Sequence, residues 1–167
     1  PAGRRPGAAP CLRADAAGLS CAVLAAAARR RRTDWRAVAR RGMDRAAADV
    51  NPATGLFPVA AGGDGSAAAD LRRDLHFARA SAETAWHLLR GSLLEIETGG
   101  APAPEWHRPA LAACDAIIGL QRADGHCGYA YRRDRPAVAD WEGFAGCWWA
   151  AAFCEACRLT GRRRYLE

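Results

Sequence analysis

CWWAAAFCEACRLTGRRRYLE occupies residues 147–167. It reads as an apolar helix, a Thr-Gly stop, and an aromatic residue that opens another helix. The same order recurs upstream in AWHLLRGSLLEIETGGAPAPEW (85–106) and more loosely in LSCAVLAAAARRRRTDW (19–35). Trp86 matches Trp148, and Thr98-Gly99 matches Thr160-Gly161, both at an offset of 62.

The segments between these copies repeat too. DWRAVARRGMDRAAADVNPATGLF (34–57) resembles EWHRPALAACDAIIGLQRADGHCGY (105–129). Trp35 matches Trp106 and Asp44 matches Asp115, both at an offset of 71, and Gly55 matches Gly125 with one residue fewer. Such a period exceeds the roughly 34-residue tetratricopeptide unit and the 40–47-residue HEAT unit. It suits two helices plus one long loop. Helices are predicted near 15–31, 34–49, 75–97, 105–121 and 144–159, with another starting near 163. Gly99 and Gly161 serve as stops, and Pro104 and Pro109 suit a helix start. No run of alternating β-branched residues predicts a substantial sheet. Short turns (97–104, 159–162) alternate with long connections (51–74, 122–143), so the long ones emerge at one end of the helix array. Long loops in a compact domain are usually functional or disordered.

A chain of 167 residues is about one domain. Half of it is hydrophobic, much of that alanine, which favours helices but buries little area per residue. The formal charge is +6 and every basic residue is arginine, a pattern that GC-rich codon usage explains. The run 29–32 suits the end of a helix dipole, and no basic stripe is interleaved with aromatics, so no nucleic-acid partner is expected. No segment is long and apolar enough to cross a membrane. Residues 1–14 read as loop. Arg4 and Arg5 precede the apolar stretch 16–28, but Asp15 and four following arginines make an unconvincing signal peptide, which leans the setting toward the cytoplasm. The seven cysteines form no disulfide framework. Cys154 and Cys157 make a CxxC inside a helix, without a second pair to complete a zinc site. They read as packing residues; no metal or cofactor is expected.

QRADGHCGYAY (121–131), AGCWWAAAFCEACRLTGRRRYLE (145–167) and the weaker copy at 85–106 resemble the six-hairpin glycosidases. In that superfamily motifs like QxxDGxxGxxY close an outer helix, and motifs like ALLEAYRLTGDxRYLE form an inner helix and the turn after it. Arg162 stands where an acidic residue is common. The resemblance runs from about residue 15 and is closest over 115–167. It implies an all-α fold, an alpha/alpha toroid of alternating inner and outer helices, with residues 15–167 forming part of it. A full ring needs six hairpins and about three are present; the first residue is Pro and RRRYLE looks like a helix just beginning, so the remainder of the toroid is expected outside this chain. The implied function is a carbohydrate-active enzyme, a glycoside hydrolase, with a carbohydrate substrate held by the long loops.

The chemistry of loop 122–142 agrees. Aromatic faces stack on sugar rings: Tyr129, Tyr131 and Trp141, with His126, are the substrate-binding candidates. Glycosidic hydrolysis needs two carboxyl groups in different environments; Asp140, Glu142 and Asp124 are the catalytic candidates. Structural readings stand beside these. Asp124 before Gly125 suits a turn. Asp140 suits a cap of the helix expected near Gly143, which would put Glu142 in its first turn. At least one of Trp148 and Trp149, both in a helix, suits a core, His76 and His87 suit hydrogen-bonded structure, and the recurrence of Asp44 and Asp115 favours a structural role in each repeat. Two other functions fit the same fold: a sugar epimerase similar to the N-acylglucosamine 2-epimerases, using histidines, and a helical-repeat interaction module. An enzyme should gather carboxylates or histidines in one cleft, whereas a scaffold should show a smooth groove.

Overall fold

The computed structural model describes residues 13–59 and 74–167. Cys11, residues 1–12 of the segment 1–14 read as loop, and the middle of the first long connection lie outside the described residues; residues 13 and 14 open the first helix. Five α-helices are present among them: α1 (Arg13–Arg30), α2 (Thr33–Ala48), α3 (Ala78–Glu97), α4 (Pro104–Ile118) and α5 (Gly146–Thr160), followed by a 3₁₀ turn at Arg163–Tyr165. The chain is mostly helical.

Helices α1, α3 and α5 lie side by side, with α2 and α4 behind them. The middle helix, α3, touches all four others and is buried on nearly every side, through small residues such as Ala78, Ala82 and Ala85 as well as Leu88 and Leu89. Glycines set the helix spacing. A Cβ on Gly18 would stand 2.8 Å from His87, on Gly42 2.1 Å from the Ser20 hydroxyl, and on Gly91 2.4 Å from Met43. Glycine inside a helix costs about 1 kcal/mol relative to alanine. Here it permits close crossings of α1 with α3, of α1 with α2, and of α2 with α3.

Polar contacts tie the two layers. Glu95 on α3 is buried and paired with both Arg36 and Arg40 of α2. The Trp106 indole on α4 donates to Asp44 on α2 at 2.7 Å, and the Tyr165 hydroxyl donates to Asp115 on α4 at 2.8 Å. The repeated Thr-Gly stops also form alike. Thr98 donates to Leu94 O at 2.8 Å and Thr160 to Ala156 O at 2.7 Å. Gly99 and Gly161 follow with φ of 77° and 70°, the left-handed region that glycine enters without strain.

Two expectations about elements are corrected. Residues 75–77 form a strand rather than the start of α3. This β1 (Leu75–Phe77) pairs antiparallel with β2 (Ala130–Arg132), which pairs with β3 (Val138–Asp140) across a bulge. Leu-His-Phe adjoins an apolar helix and looks continuous with it. The competing force is the pairing of His76 with Tyr131, both buried. The helix begins only after Ala78 N–H has bonded Tyr129 O at 2.9 Å. Pro109 is inside α4 rather than at its start, which Pro104 occupies.

Candidate functional site

The three-stranded sheet joins the two long connections, since β1 comes from the first and the β2–β3 hairpin from the second. Both therefore emerge at one end of the helices. The first turns of α1, α3 and α5 meet there around a cleft of about 380 Å³, lined by Ala14, Arg79, Ala80, Glu83 and Trp148, with Phe77 and Tyr129 from the sheet region and Val59.

The aromatic walls are held in place locally. Tyr129 lies edge-on to Phe77, with ring centres 5.9 Å apart. Gly143 backs the same ring: a Cβ there would stand 2.9 Å from Tyr129 Cδ2, and its φ of 118° suits only glycine. The polar floor belongs to α3. Arg79 Nε donates to Glu83 Oε1 at 2.8 Å, and Asp15 on α1 adds its field to that of Glu83 on Arg79. One turn further lies His87, half-buried, its imidazole held below the usual histidine range by burial, against the pull of Glu83. Arg79, Glu83 and His87, spaced by four, share one helix face.

The loop residues expected at the site separate into two groups. Tyr129 lines the cleft. His126, Trp141 and Arg122 form their own cluster: His126 Nε2 bonds Trp141 O at 2.9 Å, the rings stack at 6.0 Å, and the Arg122 guanidinium lies 4.6 Å from the indole centre. Asp124 Oδ1 accepts His126 N–H at 3.0 Å, so this carboxylate forms a turn before the left-handed Gly125. Asp140 Oδ1 accepts Glu142 N–H at 2.8 Å. It caps no helix, because α5 starts at Gly146 with Ala145 as its N-cap. Glu142 is exposed and outside any helical first turn. Tyr131 is 1% exposed and so offers no ring face to a ligand from solvent; burial holds its hydroxyl well above the usual phenol range. In β2 it points opposite to Arg132, which is exposed.

One other assignment changes in part. Cys154 is exposed and is not a packing residue; Cys157 is half-buried and does pack on the core. Of the two tryptophans, Trp149 is fully buried while Trp148 reaches the cleft. Sequence reading passed over Arg79 and Glu83. Their four-residue spacing in ARASAETAW was visible, but it reads as an ordinary surface ion pair until the helix start is placed beside the sheet.

Among the described residues no group of three or more His, Cys, Asp or Glu converges as a metal site, and no helix is long and apolar enough to cross a membrane. Comparisons with protein-family models, with curated proteins and with solved structures find no match for this chain.

Proposed function

We propose that the chain is an arc of an alpha/alpha toroid of the six-hairpin glycosidase kind, acting on carbohydrate as a glycoside hydrolase through the cleft at the starts of α1, α3 and α5. The observation that carries this reading is the cleft itself: three aromatic walls, Phe77, Tyr129 and Trp148, around the half-buried Glu83. Aromatic faces accept the apolar faces of sugar rings, and a carboxylate beside them reaches the glycosidic oxygen. In this reading α1, α3 and α5 are inner helices and α2 and α4 outer ones.

Glu83 is the carboxylate inside the cleft, where its Oε1 accepts from Arg79 Nε at 2.8 Å. The second carboxylate in this reading is Glu142, exposed and next in sequence to Gly143, which backs the Tyr129 ring. Asp124 and Asp140 each give an oxygen to a turn N–H and shape the loop. The epimerase alternative draws support from one feature, His87 one turn beyond Glu83. His76 has no part in it, because both of its ring nitrogens are engaged by Phe57 and Asn51.

Hydrolysis of a panel of oligosaccharides separates these readings. Glu83→Gln should lower turnover on a cleaved substrate by about 10²–10⁴-fold, while Asp124→Asn should stay near wild type. Wild-type turnover in Glu83→Gln would show that the cleft assignment is wrong. Loss of activity in His87→Asn on a substrate that is epimerised rather than cleaved would favour the alternative.

A further inference from the structure

The turn between α1 and α2 carries dense positive charge at the far end of α1 from the cleft, roughly 27 Å along an 18-residue helix. Arg29 and Arg30 end α1, and Arg32 is the N-cap of α2. Between them Arg31 takes a φ of 51°, a left-handed conformation that side-chain-bearing residues seldom adopt. Hydrogen bonds from Arg31 N to Ala28 O (3.3 Å) and from Arg32 N to Ala27 O (3.0 Å) close the turn. Two clefts adjoin there. One, of about 480 Å³, is lined by Arg29, Arg30, Arg32 and Trp35. The other, of about 460 Å³, is lined by Arg31, Arg32, Thr33 and Arg36.

Carboxylates neutralise only part of this charge. Asp34 pairs with Arg32 at 2.6 Å, and Glu95 pairs with Arg36. Among the described residues no carboxylate pairs with Arg29, Arg30 or Arg31. The C-terminal end of α1 supplies about half a negative charge, which leaves most of three guanidinium charges unmatched. Concave walls of one sign focus the field and concentrate counter-ions.

We propose that this double cleft binds a phosphate or sulfate ester group carried by a small ligand. Guanidinium groups fork onto tetrahedral oxyanions with paired, charge-assisted hydrogen bonds; Arg29, Arg30 and Arg31 offer such forks, while Arg32, which lines both clefts, gives its Nε and Nη2 edge to Asp34. A nucleic-acid strand fits less well. The charges gather at one turn rather than along a track, and one face of Trp35 is covered by Arg32 at 4.9 Å, removing a stacking platform for bases. The inference is independent of the carbohydrate reading, since it concerns other residues at the other end of α1.

Calorimetric titration of the chain with pyrophosphate and, separately, with sulfate tests it. Saturable one-site binding is expected, weakened about tenfold or more in Arg29→Gln/Arg30→Gln, where charge-assisted bonds are lost. Both residues are exposed and outside the ion pairs, so the variant should keep its circular dichroism and melting point. Absence of saturable binding, or equal affinity in the variant, overturns the proposal. A single-stranded oligonucleotide that binds through the same two arginines more tightly than pyrophosphate overturns its small-ligand form.

Discussion

The Trp106 indole N–H donates to Asp44 at 2.7 Å, linking the start of α4 to the middle of α2. The next unit repeats the arrangement, with the Tyr165 hydroxyl donating to Asp115 at 2.8 Å. Asp44 on α2 and Asp115 on α4 thus each receive the aromatic that opens the second helical segment after their own, which accounts for the recurrence of the two aspartates in sequence. Trp106 is fully buried, so Asp44→Ala should strand a buried donor and cost about 1–3 kcal/mol in urea unfolding. Asp115→Ala should cost a similar amount, because Tyr165 is also buried and its hydroxyl loses the carboxylate that accepts from it. Equal stability of Asp44→Ala and wild type would show that the contact adds nothing.

Glu95 is 1% exposed while its partners Arg36 and Arg40 are 37% and 39% exposed. Losing one side of the pair is therefore not equivalent to losing the other. Arg36→Ala/Arg40→Ala leaves a buried carboxylate unpaired and should cost about 3–5 kcal/mol. Glu95→Gln leaves two arginines that can turn to water and should cost less. Denaturant midpoints for the two variants decide it; the reverse order would contradict the burial argument.

Burial, aided by Arg133, depresses His76 to about 4, against the Phe57 carbonyl, which favours the charged ring. An unfolded histidine titrates near 6.5. Between these values the unfolded chain binds the extra proton, so stability is complete above about pH 6.5 and falls as the pH drops toward 4. The loss is on the order of 3 kcal/mol at the low end. Imidazole resonances followed by NMR check the cause, since the His76 ring should remain neutral at pH 5.5. Titration near 6.5 would refute it.

Thiol exposure gives a graded test. Cys147 and Cys154 are exposed, whereas Cys21 and Cys114 are buried, with thiols pushed up to about 11 and about 12 chiefly by burial. The thiolate is the reactive form. Iodoacetamide followed by mass spectrometry should label Cys147 and Cys154 in the native protein, and Cys21 and Cys114 only after unfolding. Early labelling of Cys114 would mean that α4 opens readily.

The helices and their stops were legible because Thr-Gly pairs and apolar faces are local signals. The structural role of Asp44 and Asp115 was legible because it repeats. What escaped depends on contacts distant in sequence. Residues 75–77 become a strand only through a hairpin more than 50 residues away. Tyr131 is buried in the central strand of the sheet, between β1 and β3, so an aromatic suited to sugar stacking instead packs inside. Glu83 gains meaning only when Tyr129, from one long connection, and Trp148, from the start of α5, close over it. Periodicity placed both long connections at one end; it does not say which side chains meet there.

The cleft at the starts of α1, α3 and α5 is the proposed sugar site. Indole N–H resonances of the six tryptophans report on it directly. During titration with oligosaccharides, a glycan that binds should shift the Trp148 signal saturably and leave Trp35 and the buried Trp106 unmoved, and Tyr129→Ala should weaken that response. A glycan that moves Trp141 but not Trp148 would place the site on the His126 cluster instead. Saturable binding with no response from Trp148 would contradict the account.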